Sequence, residues 1–211
     1  MVLDRREVLN SVGVAATVTL SGCVLGSKSG PTDGVGTGDP DSLISAYDTT
    51  PLFAHSNRPS WDEDGVVGHV VVIGSEDRMR AAIDRYDLSA ERRAAIREFT
   101  SGLDYSRERL LFVESVGPNA CYDRLEIGDV GVGDGGVRAT ASVSDTSVGD
   151  VACAEVLTYS AALLRVTFES EPIDTAAVDI TNGWGETGTV RAEVGDSIGP
   201  RSDSRGGYVH P

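Results

Sequence analysis

Cysteine, histidine and closely spaced carboxylates are the side chains through which this chain could do chemistry, and they are few. Three cysteines stand at positions 23, 121 and 153, and three histidines at 55, 69 and 210. Cys121 and Cys153 are 32 residues apart, far wider than the Cys-x-x-Cys spacing of a thiol–disulfide exchange motif. A metal pair would need further ligands, and no histidine lies near either cysteine in sequence. A structural disulfide is the favoured reading, with a redox or metal pair as the alternatives.

A Ser-His-Asp hydrolase needs a histidine beside a nucleophile. His69 falls inside a β-branched run and reads as a core or edge residue. His210 is the penultimate residue of a polar tail. His55, in a stretch that reads as irregular loop near Asp48 and Ser56, is the one catalytic candidate among the three. No serine stands in a Gly-x-Ser-x-Gly elbow. No catalytic residue is therefore assigned.

Metal and cofactor motifs are equally thin. Asp62-Glu63-Asp64-Gly65 lacks the alternation and distal glutamate of an EF-hand loop. Asp129 and Asp134 could hold a weak cation, although turn chemistry accounts for Asp and Gly there. The glycines at 131, 133, 135 and 136 lead into no helix whose N-terminus could cradle a phosphate. The reading is no metal and no cofactor. Three aromatics remain as possible binding residues. Trp184 lies between glycines in a turn, Trp61 lies near Pro51, Phe53 and Pro59, and Tyr122 follows Cys121. Each could be displayed for a partner or packed beneath its own loop; Trp61 could line a groove or cover one end of a sheet.

The segments around these residues set their context. Arg5-Arg6 is followed by an uncharged stretch from Val8 to Leu20-Ser21-Gly22-Cys23. That stretch is shorter than the roughly 20 residues needed to cross a bilayer. It resembles a twin-arginine export signal ending in a lipobox, with Arg5 and Arg6 as the export pair and Cys23 as the lipid attachment site. Asp4, where the pattern often has Ser or Thr, is a departure. The resemblance implies an export signal over 1–22, a lipid anchor in the membrane, and a domain on the outer face of the cell membrane. From 23 to 42 the chain is mostly Gly, Pro, Ser and Asp, a flexible tether in composition.

The formal charge is −15. Asp4 and Glu7 cancel Arg5 and Arg6, so the acidity belongs to the residues after the signal. Lys28 is the sole lysine among 18 basic residues. Acid-rich, lysine-poor composition of this kind resembles that of haloarchaeal proteins, whose carboxylates are screened in molar salt. It disfavours nucleic acid as a partner.

Residues 43–195 read as one globular α+β domain and 196–211 as a loose polar tail. Val66–Ile73 is a buried strand. Ser75 caps a helix carrying Met79, Ile83 and Tyr86, and Ser89 caps a second with Ile96 and Phe99. Arg109–Val116 is a central strand, and Cys121–Ile127 alternates. Asp129–Gly136 is a hairpin loop, followed by a strand with Val137, Ala139, Ala141 and Val143 on one face. Cys153 opens another strand, which breaks at Ser160-Ala161-Ala162 before Leu163–Ser170. A final pair flanks Asn182-Gly183-Trp184-Gly185. Seven or eight strands, with two helices inserted after the first core strand, predict an antiparallel sheet or small β-sandwich.

One order of motifs runs from Leu103-Asp104-Tyr105-Ser106 through an apolar strand to Gly117-Pro118-Asn119-Ala120-Cys121-Tyr122, then to Val156-Leu157-Thr158-Tyr159. It resembles the PrcB-type C-terminal domain, a secreted or lipid-anchored module associated with stabilising a surface protease complex. Ala120-Cys121 stands where that family tends to have a glycine pair. The resemblance implies an accessory role and carries over no catalytic residue.

The function expected is a non-catalytic binding or accessory module that docks on another envelope protein. A membrane-anchored hydrolase and a small-solute-binding lipoprotein are the alternatives.

Overall fold

The computed structural model describes residues 36–37, 43–55, 61, 66–149 and 152–196. The export signal with Arg5 and Arg6, the lipid site Cys23, His210 and the tail beyond Asp196 lie outside the described residues.

Among the described residues nine strands and two helices follow in the order β1 (Gly36–Thr37), β2 (Ile44–His55), β3 (Gly68–Ile73), α1 (Glu76–Ile83), α2 (Ala90–Phe99), β4 (Glu108–Gly117), β5 (Arg124–Gly133), β6 (Gly136–Ser144), β7 (Thr158–Phe168), β8 (Thr175–Thr181) and β9 (Thr187–Glu193). The fold is an α+β sandwich. One sheet has the order β1-β2-β7-β4-β3 and the other β5-β6-β8-β9. All pairs are antiparallel except β6 with β8, which run parallel.

Three layers result. One core lies between the sheets, where Leu111, Val113, Leu164, Val166 and Phe168 face Val137, Ala139, Val178 and Ile180. A second lies beneath the helices, where Val71, Ile73, Leu110, Phe112 and Leu163 meet Ile83, Leu88 and Ile96. Strands β4 and β7 are covered on both faces, which is why β4 reads as a continuous apolar run rather than an alternating one. Ser75 and Ser89 cap the helices through their side chains, accepting from the N–H groups of Arg78 and Arg92.

Five local expectations are corrected. Residues 44–55, read as irregular, form β2; β1 pairs its outer side only at Ala46 and Tyr47, so Pro51 lies where no described strand needs its missing N–H on that side, and the register slips between Pro51 and Phe53. The tether region contributes β1, which pairs with Tyr47 and Ala46. The break at Ser160-Ala161-Ala162 does not occur: all three are buried inside β7, where small side chains fit between two packed layers. Cys153 precedes that strand rather than opening one of its own. The hairpin loop contracts to Asp134-Gly135, both at positive φ, because β5 continues through Gly133 across an irregularity at Asp129.

Candidate functional site

Tertiary structure gathers the candidate aromatics at one end of the sandwich. The turn between β8 and β9 is tied to the end of β4 by the Gly183 N–H, which donates to the Val116 carbonyl at 2.8 Å. Asn182, itself buried, organises that turn. Its Oδ1 accepts from the N–H groups of Trp184 and Glu186, each at 3.0 Å, and its Nδ2 donates to Glu186 Oε2 at 2.9 Å. Gly183 lies so close to its neighbours that a Cβ there would be 2.7 Å from both Gly117 Cα and Pro118 Cδ. The result is a locked pedestal on which Trp184 stands 51% exposed.

Tyr122 packs over Gly117 beneath that turn and is half-buried. Its carbonyl accepts from Ser160 Oγ at 2.9 Å. Beside it Cys121 and Cys153 form a disulfide, with Cα atoms 5.6 Å apart. The same region is stitched by the Ala120 N–H to the Ala154 carbonyl and by the Thr146 N–H to the Cys121 carbonyl. Segments 118–122, 145–149 and 152–157 therefore form one braced end. Among the described residues five large apolar side chains are exposed, and four of them (Val148, Val156, Leu157 and Trp184) belong to this end.

Trp61 behaves differently. It is buried against Val116 and Tyr159 and covers the end of the first sheet. Its indole Nε1 donates to Glu114 Oε2 at 2.5 Å. Glu114, in the middle of β4, is fully buried, and its Oε1 meets His55 Nε2 at 2.9 Å and the Tyr86 hydroxyl at 3.2 Å. The His55 ring lies edge-on to Tyr86 at 5.3 Å and tilted against Tyr159 at 5.4 Å. A carboxylate removed from water is tolerable only when its lone pairs are met by donors, and here three side chains supply them. The cluster fastens the end of β2, the turn after α1 and Trp61 onto β4.

His55 thus sits at the end of β2 and not in an irregular loop. His69 is on β3, an edge strand, opposite Glu114 in the register. Asp134 pairs with Arg138, and Asp129 accepts from Thr140, so each has a structural partner in its own hairpin. Among the described residues no group of three His, Cys, Asp or Glu side chains is arranged to hold a metal ion, and no helix is long and apolar enough to cross a membrane.

No protein-family model, no curated protein and no solved structure matches this chain.

Three residues of the buried cluster escaped the sequence reading: Glu114, Tyr86 as its ligand, and Tyr159. Glu114 carried a signal, being a lone acid inside Arg109–Val116, an otherwise apolar stretch. A charge in a strand covered on both faces must have partners. Which partners they would be was not readable, because they come from β2, the turn after α1 and the loop residue Trp61.

Two further carboxyls have shifted acidities. Glu108 is pushed up by burial. Arg165 outweighs this through a two-pronged contact at 2.8 Å on each oxygen, together with the Asp104 N–H and the Thr167 hydroxyl. The net result lies below the usual carboxylate range. Asp104 is also lowered, chiefly by the Ser106 hydroxyl and then the Ser106 N–H. Glu108 braces the opposite end of β4 against β7, and Asp104 holds the turn that leads into it.

Proposed function

We propose that this protein is a lipid-anchored docking module on the outer face of the cell membrane, with no reaction of its own, which binds another envelope protein. The observation that carries this reading is Trp184, half-exposed on a turn whose backbone N–H groups from Asn182 to Glu186 are all bonded. An aromatic held rigid and open loses little side-chain entropy on contact, which is what a binding anchor requires. The exposed Val148, Val156 and Leu157 extend the apolar character of the same end. The resemblance to the PrcB-type domain supports an accessory role, and the lipobox-like stretch at Cys23 supports anchoring at the membrane. The acidic, lysine-poor composition supports a high-salt environment.

The test is covalent cross-linking on intact cells in native salt, with mass spectrometry of what the tagged protein captures. Wild type should capture a reproducible partner that Trp184→Ala loses. Capture that is empty, or indifferent to Trp184→Ala, counts against the reading.

The His55–Glu114 contact favours a second reading, a hydrolase in which His55 is the base and Glu114 orients it. That reading requires turnover of an ester or peptide substrate that His55→Ala abolishes while the fold survives.

A further inference from the structure

A depression of about 270 Å³ lies beside the braced end, lined by Pro51, Leu52 and Ala54 of β2, Arg92 of α2, and Asp123, Arg124 and Thr146. Two of its walls are cationic in a chain whose formal charge is −15. Carboxylates are abundant on this surface, and five guanidinium groups, those of Arg80, Arg93, Arg109, Arg138 and Arg165, are each paired with one. Arg92 and Arg124 form no ion pair among the described residues. The one carboxylate in the depression, Asp123, is engaged by the Thr146 hydroxyl at 2.5 Å.

Arg92 is also misplaced for its own helix. It lies in the first turn of α2, three residues after the cap Ser89, where the macrodipole favours acids. Arg93 beside it is accounted for by bonds to the Leu88 and Tyr86 carbonyls and to Asp84. Nothing in the helix accounts for Arg92. Arg124 opens β5 three residues after Cys121, so the disulfide fixes the rim on which it stands.

We infer that this depression receives a carboxylate-bearing extended segment of the partner protein, held between the guanidinium groups of Arg92 and Arg124 with Pro51, Leu52 and Ala54 beneath its aliphatic part. This rests on the docking reading and names the partner's chemistry. Guanidinium groups meet carboxylates through paired N–H donors. The depression is smaller than the roughly 300–1,000 Å³ of sites that enclose a whole small molecule, so it suits part of a larger ligand. In molar salt the Debye length is about 3 Å, which removes long-range repulsion from the acidic surface but spares direct contact.

The test uses the detergent-solubilised full-length protein in 1 M potassium chloride and a fluorescein-labelled tetra-aspartate peptide, followed by anisotropy. A tetra-asparagine peptide with the same label controls for the dye. The aspartate peptide should bind and the asparagine peptide should not. Arg92→Ala/Arg124→Ala should weaken binding about tenfold or more, with an unchanged near-ultraviolet dichroism spectrum. Asp123→Asn, which keeps an acceptor for Thr146 but removes the opposing charge, should tighten it about threefold. Equal affinity for wild type and the double variant, or weaker binding by Asp123→Asn, overturns the inference. Inorganic phosphate displacing the peptide with equal affinity overturns it in favour of a small-oxyanion site. A cross-linked partner sensitive to Trp184→Ala but indifferent to Arg92→Ala/Arg124→Ala would leave the docking module standing and remove this site from it.

Discussion

Trp61 and Glu114 are 53 residues apart in sequence, and the indole N–H of the first donates to the fully buried carboxylate of the second at 2.5 Å. His55 and Tyr86 meet the other oxygen. Glu114→Ala would take a buried acceptor from three polar side chains and leave a cavity, and should destabilise the fold by about 3 kcal/mol. Glu114→Gln, which keeps an acceptor, should cost about 1 kcal/mol. Urea unfolding measures both. In a Trp184→Phe background Trp61 is the only tryptophan left, and Glu114→Ala should shift its emission to the red.

The disulfide closes a separation of 32 residues. In the chain-entropy account such a crosslink stabilises by about 3.5–4 kcal/mol. Cys121→Ala/Cys153→Ala should lower the thermal midpoint accordingly, and a reducing agent should lower that of the wild type but not of the variant. Thiol labelling of the non-reduced protein should modify neither Cys121 nor Cys153.

Glu108 and Arg165 give a pH dependence whose sign is determined. The Glu108 carboxyl is lowered on folding, so its contribution is present above the unfolded value near 4.5. It is lost as the pH falls through the lower folded value. Glu108→Gln should cost about 2 kcal/mol at neutral pH. That difference should shrink as both proteins are acidified below the ordinary glutamate range. A gap that stays constant into acid would assign the loss to packing instead.

Gly183 and Gly185 share one turn but should respond differently to alanine. A Cβ on Gly183 would meet Gly117, Pro118 and Tyr122 at under 3.0 Å. Gly183→Ala should therefore cost about 1–3 kcal/mol by overpacking and displace the pedestal of Trp184. At Gly185 nothing lies within 4 Å and only the φ of +82° opposes a side chain, so about 1 kcal/mol is expected. Acrylamide quenching of Trp184 should change in the first variant and not in the second.

Cys23→Ser should release the protein from the membrane fraction into the medium if Cys23 carries the lipid. Retention at the wild-type level would remove the anchor from the proposal.

Local patterns made much of the scaffold readable. Ser75 and Ser89 announced their helices because capping is a contact between residues three apart. The alternation of Val137, Ala139, Ala141 and Val143 marked one buried face of β6, and the run from Arg109 to Val116 marked a central strand. The Cys121–Cys153 pairing followed from there being two cysteines left once Cys23 was assigned to a lipid. Strand β2 was hidden because Pro51 and its polar neighbours match no alternating pattern, and its strand character depends on β7 beside it.

The exposure of the three candidate aromatics was not a sequence property at all. Trp61 and Trp184 have the same side chain, yet one is sealed over a carboxylate and the other stands in solvent. Periodicity fixes which way a residue faces along its own element, whereas the neighbours of a loop residue come from distant segments. The sequence by itself determined the α+β class, the helix caps and the residues available for a disulfide. Only the tertiary structure decided that Glu114 would be met by His55, Tyr86 and Trp61, that Arg92 and Arg124 would share one depression, and that Trp184 would be held out. Each of these joins side chains dozens of residues apart, and the distance between such groups is set by how the layers pack.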